Sequence, residues 1–430
     1  MKENIFKRIT STSEKKALVE NFFFLSCLQV TDYALPLITL PYLVRVLGPE
    51  KYGLIAFAQA LVQYFVILAD YSFNLSATRE ISINVSDKNK VSEIFSSVMA
   101  IKFCFMIIGC IILSVMVACF ARFKSDWVLY FLTFSMIFGQ VLFPVWFFQG
   151  MQKMKYITFL NITSKVIFTI SIFIFVRKMQ DYIYVPLINS LGFLFIGVLA
   201  LWIAYAKFEV YFVFPTLESI KKQLRDGWHI FISRISMSLY ATSSTFILGL
   251  FTNNTFVGYY SGADKIVRAV QKLSSPMSDS VYPYISKLAN ESKEKALKFI
   301  RKLLIFAGGA SMIASLVLFL FAKPIIGVVL GHQYQESVIV LKILAFVPFL
   351  AISATILGTQ TMLAFNLKEA FSKILISAGV INITLALLLT PLYKQIGISI
   401  SVLCTEFFVA FTMFFYLKSK NLIQIHNRNI

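Results

Sequence analysis

The sequence predicts an all-α polytopic membrane protein with about twelve transmembrane helices. Three observations lead there. Of 430 residues, 58% are hydrophobic and 14% charged, against roughly 45–50% and about 25% in an average soluble domain. Apolar runs long enough to cross a bilayer, roughly 20 residues each, recur along the whole chain. The basic residues gather in alternate connections between those runs. Too few charges remain to coat a soluble surface of this size, and 44 phenylalanines exclude a disordered chain.

The first expected span, 20–44, follows a polar, basic start and exceeds a signal-peptide core. It reads as a retained helix carrying Gln29, Asp32, Tyr33, Pro36 and Pro41. The prolines weaken it and free carbonyls, as in bent transporter helices. The second, 53–78, carries Gln59, Gln63, Asp70 and Asn74; the last two are i, i+4 and share a face. Spans 96–120, 127–149, 157–176 and 183–206 complete a first set of six. The longest polar break, 207–227, contains LESIKKQLRD. A second set follows at 228–250, 257–286, 303–321, 336–362, 371–390 and 396–417. The chain thus divides into an N-terminal six-helix bundle, 1–206, a cytoplasmic linker, 207–227, and a C-terminal six-helix bundle, 228–430. Tyr52–Ala60 (YGLIAFAQA) resembles Val257–Lys265 (VGYYSGADK), with Gly53 matching Gly258. Six is even, so both halves would enter the membrane from the same side.

With the N-terminus in the cytoplasm, inner segments hold 25 Lys and Arg, outer loops 8, and spans 7. That bias places both termini inside. Net charge is +19; the clustering at helix ends suits topology and anionic lipid headgroups, and no nucleic-acid signature accompanies it. Trp127, Trp146, Trp202 and Trp228 fall near span ends, as an interfacial belt would have them. Five cysteines lie in apolar runs without CxxC spacing, and His229, His332 and His426 form no zinc pattern. No metal or cofactor site is expected.

Ionisable residues inside spans are the informative ones, because a central charge costs about 2.5–3.5 kcal/mol on insertion scales. In GADKIVRAVQKLSSPMSDS, Gly262–Ser280, the residues Asp264, Arg268 and Lys272 are spaced i, i+4, i+8. On one helix they share a face and rise roughly 6 Å per step. Lys265 widens the stripe; Ser275 and Asp279 extend it. The stripe suits an anion-binding wall of an aqueous cavity. The other reading is an amphipathic helix at the cytoplasmic surface, and the apolar spans on both sides favour the cavity. Arg234 stands about two turns into the seventh span, before a run of hydroxyls, and reads as part of the same lining. Asp32 and Asp70 are candidate proton or cation sites; for Asp32, pairing with a lysine or hydroxyl is an equal alternative. Lys102, Lys165 and Lys342 lie nearer span ends and read as snorkelling. Glu406 is a lone carboxylate in the twelfth span.

Walker A, GxSxG and HExxH patterns do not occur, so ATP hydrolysis and ordinary hydrolase chemistry are not expected. Several stretches carry a resemblance: Leu35–Ala60, Asp70–Ser82, Phe143–Lys165 and Tyr259–Leu288. Together they resemble the O-antigen and polysaccharide flippases of the Wzx type, in the superfamily that also holds the multidrug and toxin extrusion antiporters and the peptidoglycan lipid flippases. The resemblance implies two six-helix bundles around a central cavity. It also implies movement of an undecaprenyl-diphosphate-linked oligosaccharide from the inner to the outer leaflet of the bacterial cytoplasmic membrane. The coupling ion would be a proton or sodium, and the partners would be membrane lipids and the glycan polymerase of the same pathway. A drug or metabolite antiporter is the rival within the superfamily; the cationic stripe argues against cationic drugs. A membrane glycan polymerase or glycosyltransferase is the rival outside it; the short outer loops and the lack of a DxD pattern argue against that.

Overall fold

The computed structural model describes residues 12–273 and 275–422; the side chains of Tyr33, Arg234, Ser275 and Asp279 lie outside the described set. Among the described residues all regular structure is helical. The first four helices are α1 (Thr12–Asp70), α2 (Phe73–Ile83), α3 (Lys88–Cys119) and the short α4 (Ala121–Lys124). The fourth expected span is filled by α5 (Trp127–Phe134), α6 (Met136–Leu142) and α7 (Val145–Gly150). Then come α8 (Met154–Phe175), α9 (Tyr184–Phe208), α10 (Leu217–Phe251), α11 (Asn254–Lys272) and α12 (Ser275–Glu291). The chain continues through α13 (Lys293–Leu320), α14 (Ala322–Val329), α15 (Ser337–Leu344) and α16 (Val347–Thr355) to a π-helical stretch, Ile356–Met362, and α17 (Lys368–Ser419).

Among the described residues, eight segments are long and apolar enough to cross a membrane. Two of them, Ser26–Ile83 and Lys368–Ser419, run 58 and 52 residues, far beyond the roughly 20 that one crossing needs. Each is broken near its middle. Gly48 (φ 68°) breaks the first and Lys394 (φ 52°) the second. A side chain at Gly48 would be strained at that φ and would meet Gln333 at 2.9 Å. Each long segment is therefore long enough, and broken suitably, for two crossings. The expected seventh and eighth spans are helical as well, in α10 and in α11 with α12, but are not among those eight. The architecture is compatible with twelve crossings, and the seventh and eighth are those that carry Arg234 and the 264–272 stripe.

The chain forms two compact units: Met1–Val46 with Ala58–Ile235, and Leu47–Phe57 with Ser236–Ile430. In the first, an aromatic core fills the space between α2, α3 and α7. Phe73, Phe95, Trp146, Phe147 and Phe148 are fully buried, with ring centroids of Phe95 and Trp146 5.5 Å apart. Trp146 therefore departs from the expected interfacial belt, because Phe95 and Phe147 enclose it. Trp127, Trp202 and Trp228 are exposed, as such a belt requires.

Residues 207–227 are docked within the first unit. Glu209 adopts a left-handed conformation at the end of α9 and pairs with Lys88. Beyond it, Tyr211 N–H donates to Ser92 Oγ at 3.3 Å and Val213 N–H to Ser96 Oγ at 3.0 Å, both on α3. The start of α10 is held by a 2.6 Å ion pair from Lys222 to Glu80, which raises the ammonium's pKa. Tyr71 Oη also donates to the Leu224 carbonyl at 3.1 Å. The seam between the units falls inside α10, after Ile235.

In the second unit the two similar stretches meet at their matching glycines, Gly53 and Gly258. A Cβ on Gly53 would overlap the Asn254 carbonyl oxygen, and one on Gly258 would overlap the Pro49 carbonyl oxygen. Pro49 precedes Gly53 by four residues and Asn254 precedes Gly258 by four, so the packing is reciprocal. Small residues at such a crossing let backbones touch. Gly258→Val is expected to cost more than the roughly 1–3 kcal/mol of ordinary overpacking, because backbone rather than a flexible side chain must yield. Thermal unfolding of the purified variant, and its abundance in membranes, would read the loss; Gly309→Ala, at a site with no neighbour within 4 Å, should be near parental.

Candidate functional site

In the second unit, α11 divides its faces by chemistry. Val257, Tyr260, Ala263, Ile266 and Val267 are buried, and the charged residues occupy the remaining arc. Asn253 starts the helix by accepting from Phe256 N–H at 3.2 Å. Arg268 Nε donates to Asp264 Oδ2 at 2.6 Å, with side-chain exposures of 43% and 14%. An i, i+4 pair of this kind adds only about 0.3–0.5 kcal/mol, so its consequence is placement: the carboxylate fixes where the guanidinium stands. Glu406 on α17 lies within electrostatic reach of Arg268, and so joins the cluster that the sequence left it out of. Lys265 Nζ sits 5.3 Å above the ring of Tyr52. Lys272 is exposed at the last residue of α11, where the helix dipole favours a cation. The expected eighth span is divided between α11 and α12, and Lys272 stands in the last turn of the first. The Arg234 side chain, with that of Asp279, lies outside the described residues.

In the first unit, a cavity of about 300 Å³ lies among α1, α2, α3, α6, α8 and α9. Six polar side chains reach it: Gln63, Asp70, Asn74, Lys102, Gln140 and Asn161. Asn74 Nδ2 donates to both carboxylate oxygens of Asp70, at 3.1 and 3.2 Å. Lys102 Nζ stands 3.9 Å from Asp70 Oδ1. Lys102 is 4% exposed, which corrects its reading as a snorkelling lysine: its ammonium turns inward to the carboxylate. Asp32 forms an ion pair with Lys165, the alternative the sequence left open for it, and Lys165 likewise does not snorkel freely. Lys342 is exposed, 6.0 Å from the Phe319 ring centroid.

The structure brings Asp264 and Arg268 together, and Asp70 with Lys102. Sequence reasoning missed Lys102, Gln140 and Asn161 as cavity groups. The available signal was charge complementarity: one acid and one base in neighbouring spans, where ionisable groups pair with one another. Among the described residues no group of His, Cys, Asp or Glu could hold a metal ion.

A family model described as "Polysaccharide biosynthesis protein" matches residues 18–289. The chain belongs to this family. Relatives extend the match end to end. A protein of Escherichia coli (strain K12), provisionally named an O-antigen transporter, is 35% identical over 414 residues, covering 96% of this chain and 99% of the relative. One of the same name in Shigella dysenteriae is 26% identical over 396 residues, covering 92% and 98%. Two solved structures share the fold. An inward-facing multidrug resistance MATE family transporter of the MOP superfamily superposes with a TM-score of 0.70 at 15% identity, over 90% of this chain and 94% of that one. The lipid II flippase MurJ, in an inward closed conformation, gives 0.69 at 14% identity, over 94% and 88%. This family member therefore has the helical fold of the MATE and MurJ transporters. Identities this low speak to fold alone, and the fold does not choose between drugs and lipid-linked glycans.

Proposed function

We propose that the protein is a flippase. It moves undecaprenyl-diphosphate-linked oligosaccharide repeat units, of O-antigen or a similar surface glycan, from the inner to the outer leaflet of the bacterial cytoplasmic membrane. The observation that carries this reading is the cationic arc of α11, with Arg268 held by Asp264, in a chain related over nearly its whole length to proteins named for O-antigen transport. A lipid diphosphate presents an anionic head on an apolar tail. Arginine offers it a bidentate fork and lysine a point charge. Lys265, Arg268, Lys272 and Arg234 are the groups proposed to meet the diphosphate, with Asp264 as their positioning residue. A cationic drug would be repelled by the same arc.

The movement would be alternating access, one six-helix bundle rocking against the other around a central cavity, with both termini in the cytoplasm. An ion gradient would drive it. Asp32 and Asp70, each facing a lysine ammonium, are the candidate coupling groups for a proton or a sodium ion. Deleting the gene should stop surface glycan while lipid-linked repeat units accumulate on the inner face. A polymerase defect would instead leave single repeat units at the surface, and that outcome would reject the flippase reading.

A further inference from the structure

The cavity of the first unit has a composition that the diphosphate reading does not use. Its about 300 Å³ would hold roughly ten water molecules at ~30 Å³ each. Asp70 and Lys102 neutralise each other across 3.9 Å, and the other four polar groups are uncharged amides. The formal charge is therefore zero. A diphosphate finds no excess cation here, and a metal or sodium ion finds its one carboxylate already facing an ammonium.

The amides matter more. Gln63 and Gln140 line the cavity and make no side-chain hydrogen bond to the described protein. Asn161 commits its Nδ2 to the Ile157 carbonyl at 2.9 Å. Each glutamine offers two N–H donors and a carbonyl acceptor. Leaving such a group dry and unpaired costs about 1–3 kcal/mol. Something that both donates and accepts must fill the space, either water or a ligand that resembles it chemically. Phe143 and Phe193 supply apolar wall on the same cavity. Hydroxyls that donate and accept, on a ring with C–H faces that lie against aromatic rings, describe a sugar. At the lower end of ligand-pocket sizes, the cavity suits one ring and not a whole repeat unit.

We propose that this cavity seats one neutral sugar ring of the oligosaccharide, its hydroxyls hydrogen-bonded by Gln63, Gln140, Asn74 and the Asp70–Lys102 pair. The proposal rests on the glycan-lipid reading and adds a sugar subsite in the first unit, apart from the groups on α11.

The test is saturation-transfer NMR on the purified full-length protein in detergent micelles. The probe is the oligosaccharide repeat unit released by mild acid from the source cell's own surface glycan. The parental protein should transfer saturation to the protons of one ring. Gln63→Leu/Gln140→Leu keeps side-chain size and should lower that transfer at least tenfold, whereas Lys293→Ala, at the exposed start of α13, should leave it unchanged. If the double variant fails to fold, the single Gln140→Leu should still give about a threefold loss. No transfer in the parental protein, or equal transfer in a folded glutamine variant, overturns the proposal. A protein that binds the sugar but leaves surface glycan intact on deletion would instead overturn the flippase reading and spare the cavity.

Discussion

Arg268→Ala should abolish or sharply reduce glycan export. The Arg268 side chain is 43% exposed and fixed by Asp264 at 2.6 Å, and in the proposed function it makes charge-assisted hydrogen bonds to a phosphate. Losing one bond to a charged group typically costs about 1.5–3 kcal/mol, or roughly ten- to hundredfold in binding. Arg268→Lys should keep part of the activity, because charge survives while the planar fork is lost. Arg234→Ala should behave like Arg268→Ala. Lys293→Ala, at the exposed start of α13, should be near parental. Asp264 is only 14% exposed, and orphaning it could destabilise the fold, so membrane abundance must be measured beside surface glycan. Well-expressed Arg268→Ala and Arg234→Ala proteins that export at the parental rate, separately and together, would remove the cationic arc from the mechanism.

Lys102→Met should be the most destabilising of the charge substitutions. Lys102 is 4% exposed and Asp70 keeps a 17% exposed side chain. Removing one member of a buried ion pair costs about 3–5 kcal/mol, because the remaining charge loses a counter-ion. Asp70→Asn/Lys102→Met replaces both charges and should recover most of the lost stability, with Asn74 still beside the new amide. It should not recover export if Asp70 couples the ion gradient. Thermal unfolding of the three purified variants reads the first claim, and surface glycan at matched abundance reads the second. A Lys102→Met protein as stable as the parent would show that the pair does not hold the first unit together.

Much of this was legible because a bilayer imposes simple rules. Long apolar runs became helices, and the break at Gly48–Pro49 follows from residues that leave a helix readily. The charge stripe on α11 was readable because i, i+4 spacing fixes a face whatever the helix packs on. The pairing of Asp264 with Arg268 is local in sequence and came with it. What escaped depends on contacts between distant segments. Trp146 looks interfacial by position, and it is Phe95, brought by α3, that closes over it beside its own neighbour Phe147. The break at Lys394 falls in the gap expected between spans 371–390 and 396–417, but its packing was not legible: Gly397 allows the chain to pass against the Leu389 carbonyl, and Lys394 Nζ sits 4.5 Å from the Phe256 ring centroid. Lys102 lies near enough to a span end to snorkel, and its inward turn is set by Asp70 on another helix. The docking of 207–227 on α3 rests on serine hydroxyls that a polar stretch does not advertise.

The most direct measurement is translocation in sealed vesicles. The full-length protein is reconstituted with undecaprenyl-diphosphate-linked oligosaccharide distributed over both leaflets, and membrane-impermeant periodate is added outside. Vesicles holding the parental protein should have nearly all their lipid-linked sugar oxidised, whereas protein-free vesicles and those holding Arg268→Ala should stop at about the half exposed from the start. Parental vesicles that stop at the same half as protein-free ones would contradict the account.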